Sequence, residues 1–214
     1  MVEVVLEDSW TDWGRSGGVL VAGAERLAWE IATMAPGLLQ EALRGIRSAV
    51  ANGASLGGAV TALGDAHEPH ILDVHSVGQG VLVIDDTGTR GVDDAATSLK
   101  IVTGLAARQR RVVVAAGALD FDGDSDYDDL GAFGALMVRL NVNQVFAVGP
   151  DARALFLSVG REGSWDGESQ HCVSVDDAYD DIRAFIRPED VLLVMGTTGQ
   201  SLLPLARRLV EDLS

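Results

Sequence analysis

Six aspartates crowd one short stretch: Asp120, Asp122, Asp124, Asp126, Asp128 and Asp129. Alternating carboxylates suit a hard cation such as calcium, which draws several oxygen ligands from one tight loop. The spacing argues against that use. With Gly123 at the sharp turn, Ala118 falls at the first ligand position and Asp129 at the last, where a bidentate Glu is usual. The plainer expectation is a solvated acidic loop leading into a helix around Leu130. A second cluster, His67, Glu68, His70, Asp73 and His75, holds histidines at i, i+3 that would chelate zinc on one helical face. Pro69 lies between them, and a linker carrying a few histidines explains the cluster equally well. Cys172 stands beside Val173 in an apolar run, where a small buried thiol is the ordinary reading and a nucleophile is not. No catalytic residue and no metal ligand is assigned from these groups.

Glycines that follow apolar runs offer a different chemistry, because a strand entering a helix through glycine exposes backbone N–H groups that suit anions. Gly117, Gly149 and the turn Gly196, Thr197, Thr198, Gly199 all qualify. The last is the expected site for a phosphate or carboxylate, although a G-x-x-G turn also serves close helix–strand packing. A phosphate-cradling G-x-x-x-x-G-K-[ST] loop is not found, and the single lysine, Lys100, falls inside a helical stretch. ATP hydrolysis of that type is therefore not expected of these residues alone.

The elements that must hold these groups alternate from Gly80 onward. Continuous apolar runs at Val81 to Ile84, Val112 to Ala116, Val145 to Val148, Cys172 to Val175 and Val191 to Met195 predict strands covered on both faces. Helix-period stretches lie between them: Asp93 to Ala107, the run through Leu130, Phe133, Met137 and Leu140, the segment carrying Ile182 and Phe185, and the last through Leu202, Ala206 and Leu209. This pattern predicts a Rossmann-like α/β domain with a mostly parallel sheet and helices on both faces. Earlier residues predict a strand at Val4 to Leu6, a Trp-containing turn, and helices at about Ala24 to Thr33, Leu38 to Ala51 and Ser55 to Leu63. The expectation is a small N-terminal helical subdomain, residues 1–79, before an α/β domain, residues 80–214, with the boundary near Asp73 to Gly80.

At 214 residues, with 47% hydrophobic residues, 25 Gly and 5 Pro, the chain can bury a sizeable core. No run approaches the roughly 20 apolar residues of a membrane span, and Met1 to Glu3 opens no secretory signal. A net charge of -16 argues against a nucleic-acid partner, since a phosphate-backbone binder needs basic patches. One cysteine, Cys172, fits a reducing compartment, so the expected location is cytoplasmic, with no membrane association.

Several strings, in order, resemble the Mur ligases, in particular the MurF type. Val83-Ile84-Asp85-Asp86-Thr87, with Asp93 at a helix start, is similar to the family's V-I-D-D-T-Y-N-A-N-P-D-S. Val113 to Gly117 and the acidic stretch after it sit where the family has A-V-L-G-D-M-x-E-L-G. Ala147-Val148-Gly149-Pro150-Asp151-Ala152-Arg153 is similar to A-V-G-x-x-A-R, and Val191 to Gly199 to V-L-V-K-G-S-R-G. Leu38 to Leu63 resembles the helical end of the family's central domain, so the likeness runs from about Leu38 to Leu213.

The resemblance implies the family's C-terminal domain, and a reaction in which ATP phosphorylates a carboxylate before an amine attacks the acyl phosphate. It also implies a nucleotide site at Asp86, Thr87 and Arg90, with ATP or ADP as the ligand: Asp86 stands where the family contacts a ribose hydroxyl, and Arg90 is an unmatched anion contact beside it. The alternative reading is that Asp85 and Asp86 only cap a turn. Departures from the pattern are Gly88 for Tyr, Thr89 and Gly91 for Asn, Val92 for Pro, Ala118 for Asp, Met195 for Lys and Thr198 for Arg. The P-loop half of the central domain has no counterpart. These substitutions lead to the expectation of a degenerate, non-catalytic relative, a binding, scaffolding or regulatory module in peptidoglycan precursor metabolism. The alternative is the C-terminal part of an ATP-dependent amide-forming ligase whose P-loop half comes from another chain. Expected partners are a second copy or a Mur-ligase-type chain, and a UDP-muramyl peptide. Trp10, Trp13, Trp29 and nearby aliphatics are expected either to pack within the first subdomain or to meet that partner.

Overall fold

The computed structural model describes residues 3–64, 68–89, 91–107, 109–119, 126–161, 165–196 and 201–214, with the backbone alone for 126–129. The chain divides into two units, Met1–Leu72 and Asp73–Ser214.

The first unit is built on an antiparallel sheet, which corrects the expectation of a helical subdomain. Strands β1 (Val4–Asp12), β2 (Arg15–Ala22) and β3 (Glu25–Ile31) pair in that order, with Leu6 opposite Leu20 and Leu20 opposite Leu27. Residues 24–33, expected to be helical, therefore contain β3. Leu27 and Ile31 are spaced for one helical face, but Leu27, Trp29 and Ile31 also alternate with exposed Ala28 and Glu30, which is the strand period. The two-residue turn Gly23-Ala24, with Gly23 at φ 63°, closes a hairpin and settles between the two. Helices α1 (Pro36–Ala51) and α2 (Leu56–Leu63) follow. Ala42, Leu43 and Ile46 of α1 and Leu56 and Ala59 of α2 bury Val4, Leu20, Trp29 and Ile31 of the sheet. Trp29 thus belongs to this unit's core. Trp10 is 39% exposed, with the Arg15 guanidinium 5.6 Å from its ring centroid.

The second unit carries a six-stranded sheet. Its strands are β4 (Asp73–Ser76), β5 (Leu82–Asp86), β6 (Val112–Ala116), β7 (Gln144–Val148), β8 (Glu168–Cys172) and β9 (Val191–Met195), in the order β4-β5-β9-β6-β7-β8. Only β4 runs antiparallel. The helices are α3 (Val92–Ala106), α4 (Asp126–Arg139), α5 (Arg153–Val159), α6 (Val175–Phe185) and α7 (Leu203–Leu213). Every residue of β5, β6, β7 and β9 is buried, as continuous apolar runs in a doubly covered parallel sheet require. On one face Val83, Val113, Phe146 and Leu192 pack against Ile182 of α6 and Leu205 and Leu209 of α7. The other face is covered by α3, α4 and α5, which run as neighbours.

The strand expected at Cys172 to Val175 lies four residues earlier, at Glu168–Cys172. An edge strand has one open side, and its exposed Glu168 and Gln170 hide it from a search for apolar runs. Ser174 then caps α6: its hydroxyl accepts from the Asp177 N–H at 3.1 Å, and its own N–H donates to Asp177 Oδ2 at 3.1 Å.

Candidate functional site

Parallel sheets place ligands outside the carboxyl ends of their strands, at the point where successive connections leave on opposite faces. That point lies around β9: the connection after β9 enters α7 on one face, while those after β5 and β6 enter α3 and α4 on the other. Three strand ends meet there. In register, Met195 of β9 stands between Asp86 of β5 and Ala116 of β6.

At the end of β5 the chain turns within four residues. Thr87 donates to Asp85 Oδ1 twice, from its N–H at 3.0 Å and its hydroxyl at 2.7 Å, and the Thr89 N–H donates to the Asp86 carbonyl at 3.1 Å. Asp85, Asp86, Thr87 and Thr89 are all buried, Asp86 completely. A buried carboxylate is tolerated where hydrogen bonds replace water, and Asp85 meets that need through Thr87. Asp85 is therefore a turn-capping residue. Of the expected nucleotide-site residues, Asp86 and Thr87 are adjacent and sealed, while Arg90 lies outside the described residues. Asp85 and Thr89 were not among the expected site residues, although the string Asp85-Asp86-Thr87 pointed to their position.

The exits of β9 and β6 press together. The Gly117 N–H donates to the Met195 carbonyl at 2.9 Å, and a side chain on Gly196 would meet the Ala118 carbonyl oxygen at 3.0 Å and the Gly117 nitrogen at 3.1 Å. Gly196 also holds φ at 97°, so both space and backbone call for glycine. Thr197, Thr198 and Gly199 of the expected anion-binding turn lie outside the described residues. Gly117 and Gly149 have their N–H groups committed to protein: that of Gly149 donates to the Cys172 carbonyl at 2.9 Å, and its own carbonyl is 2.9 Å from His171 Nε2. Neither offers an N–H to an anion.

A family model described as Mur ligase, glutamate ligase domain, matches residues 72–198, more than half of the chain. The chain belongs to the Mur ligase family. Among characterised Mur ligases, the UDP-N-acetylmuramoyl-tripeptide–D-alanyl-D-alanine ligase of Mycobacterium leprae is 28% identical over 156 residues, covering 67% of this chain and 30% of that protein. The ligase of the same name from Mycobacterium tuberculosis is 29% identical over 159 residues, covering 67% and 31%. The chain thus spans about a third of the length of these relatives. MurF from Acinetobacter baumannii shares the fold with a TM-score of 0.76 at 19% identity, over 97% of this chain and 45% of its own. MurF from Thermotoga maritima, solved in complex with ADP, does so with a TM-score of 0.69 at 14% identity, over 99% and 47%.

Residues 120–125 of the acidic run and His67 are outside the described residues, as are the side chains of 126–129. Among the described residues no group of three or more His, Cys, Asp or Glu is placed to hold a metal. Cys172 is buried, and burial, reinforced by Asp181, pushes its thiol up to about 12. It is protonated at neutral pH and a poor nucleophile. No helix of the described residues is long and apolar enough to cross a membrane.

Proposed function

We propose that this Mur ligase chain is a binding and scaffolding module of peptidoglycan precursor metabolism that carries out no ligase chemistry by itself. The observation that carries this reading is the composition of the strand ends. Acyl-phosphate chemistry needs fixed positive charge where the transferred phosphoryl develops its own, and acids to hold magnesium. Among the described residues the exits of β6 and β9 offer instead Gly117, Ala118, Leu119, the buried Met195 and Gly196. Asp86 is fully buried, so a ribose would reach it only after the residues around it move. A nucleotide, ATP or ADP, would then be held by Asp86, Thr87 and Arg90.

Calorimetry of the purified chain with ATP, ADP and a UDP-muramyl peptide, alongside an assay for ADP release, tests the reading. Binding of the muramyl peptide or nucleotide without ADP release supports it, and loss of nucleotide heat in Asp86→Ala places that ligand at β5. Release of ADP in the presence of a peptide acceptor overturns it.

A second reading is favoured by the length comparison and by the ligase activity named for the relatives. In it the chain is the C-terminal portion of an ATP-dependent amide-forming ligase whose P-loop portion is supplied from elsewhere. Mixing the chain with a Mur ligase fragment that ends before the matched region, then measuring ADP and amide product, distinguishes the two. Activity restored by mixing supports the second reading.

A further inference from the structure

Between Leu130 and Gly131 of α4 and the length of α5 lies a cavity of about 400 Å³, within the size range of small-molecule sites. One wall is the α5 face that carries Arg153, Leu157 and Ser158, continued by Arg161 in the turn beyond the helix; the other begins at Leu130. Two contacts set the distance between the walls. The Ser158 hydroxyl donates to the Leu130 carbonyl at 2.7 Å, and Gly134 of α4 packs so closely on Ser158 that no side chain fits there. The trough is thereby preformed.

Its chemistry is divided. Leu130, Pro150 and Leu157 give it an apolar floor, and Leu157 is 48% exposed although nothing polar anchors it. Arg153 and Arg161 both open onto that floor, and neither forms an ion pair among the described residues. In a chain with 32 acidic and 16 basic residues, acids to neutralise two arginines are plentiful. Asp151, at the Pro150 end, is the one acid among the described lining residues, so an anion would seat on the arginine side.

We propose that this α4–α5 trough is a binding site for a small organic anion with an apolar body, whose carboxylate or phosphate pairs with Arg153 and Arg161 while its body covers Leu157 and Leu130. A guanidinium recognises such a group through directed, charge-assisted hydrogen bonds, and the preformed apolar floor adds burial without ordering cost. The site does not depend on the proposed function above, because no strand-end residue of β5, β6 or β9 lines it.

The test is an amide NMR titration of the full chain with octanoate, run in parallel with octanol, octylamine and inorganic phosphate. Saturable shifts at Leu130, Leu157 and Ser158 are expected with octanoate. Much weaker effects are expected from octanol and phosphate, which each lack half of the chemistry, and from octylamine, whose charge is opposite. Replacing both Arg153 and Arg161 by Gln, at exposed positions where the fold is indifferent, should weaken octanoate by about tenfold or more. Shifts confined to other elements, equal response to octylamine, no saturable shift, or undiminished binding in a folded double variant would each overturn the proposal. Shifts at Thr87 and Thr89 on adding ATP bear only on the strand-end reading.

Discussion

Arg111 donates from Nη1 to Asp190 Oδ2 at 3.1 Å, joining the residues that immediately precede β6 and β9. Asp190 is buried and also accepts from the Arg187 N–H at 2.9 Å, while the Arg111 guanidinium lies 4.7 Å from the Phe185 ring centroid. Removing the carboxylate strands both donors. Asp190→Ala is expected to lower unfolding free energy by about 2 to 4 kcal/mol in denaturant titrations, and Asp190→Asn by less. A loss below about 0.5 kcal/mol for the alanine variant would refute this role.

The same residue gives a pH dependence. Burial raises the Asp190 carboxyl above its ordinary 3.8, outweighing the Arg187 N–H and the Arg111 charge, which lower it. The folded chain therefore holds this proton more tightly than the unfolded chain. Between 3.8 and the raised folded value it binds more protons than the unfolded chain, so this group's contribution to stability falls as pH rises through that window. Unfolding measured at several pH values from about 4 to 7 should show the wild type losing ground relative to Asp190→Asn as pH rises. Parallel profiles for the two proteins would contradict the shift.

Gly196→Ala should destabilise the second unit by about 1 to 3 kcal/mol, since the new methyl meets the Ala118 carbonyl and the backbone stays left-handed. Thermal melts provide the measurement. A variant as stable as the wild type would mean that the exits of β6 and β9 are not pressed together.

Cys172 should react with a disulfide reagent in the folded chain roughly a thousandfold more slowly than in guanidinium, because so little thiolate is available at neutral pH. Comparable rates in the two conditions would show the thiol to be open.

Ser174→Ala removes half of a reciprocal cap and should cost about 1 kcal/mol, while Ser174→Gly costs only a few tenths. Chemical denaturation of the two variants separates the cap from mere side-chain loss.

How much of this was legible in the sequence depended on which side of each element faces solvent. β5, β6, β7 and β9 are covered on both faces, and their uninterrupted Val, Leu, Ile and Ala runs declare them. β8 and β4 are edges whose polar residues, Glu168 and Gln170 or Asp73 and His75, look like loop. In β3, Leu27 and Ile31 satisfy the helical and the strand period at once, and only the Gly23 turn separates the two. The string Asp85-Asp86-Thr87 drew attention to the end of β5. The burial of these residues was hidden, since the bonds from Thr87 to the Asp85 carboxylate and from Thr89 to the Asp86 carbonyl are made only once the chain turns. Arg111 and Asp190, 79 residues apart, share no local signature at all.

The placement of β9 has a bearing on how the molecule is made. β5 and β6 do not pair with each other: each pairs with β9, which is synthesised after both and slots between them. While a ribosome is still translating residues before 191, the two strands have an unfilled gap between them, and each presents an unpaired inner edge of the kind that invites aggregation. Completion of the sheet is thus a late, long-range event with a high loop-closure penalty. A message cut short before this strand would yield a polypeptide that cannot hide its own centre, and cellular quality control would meet it as unfinished.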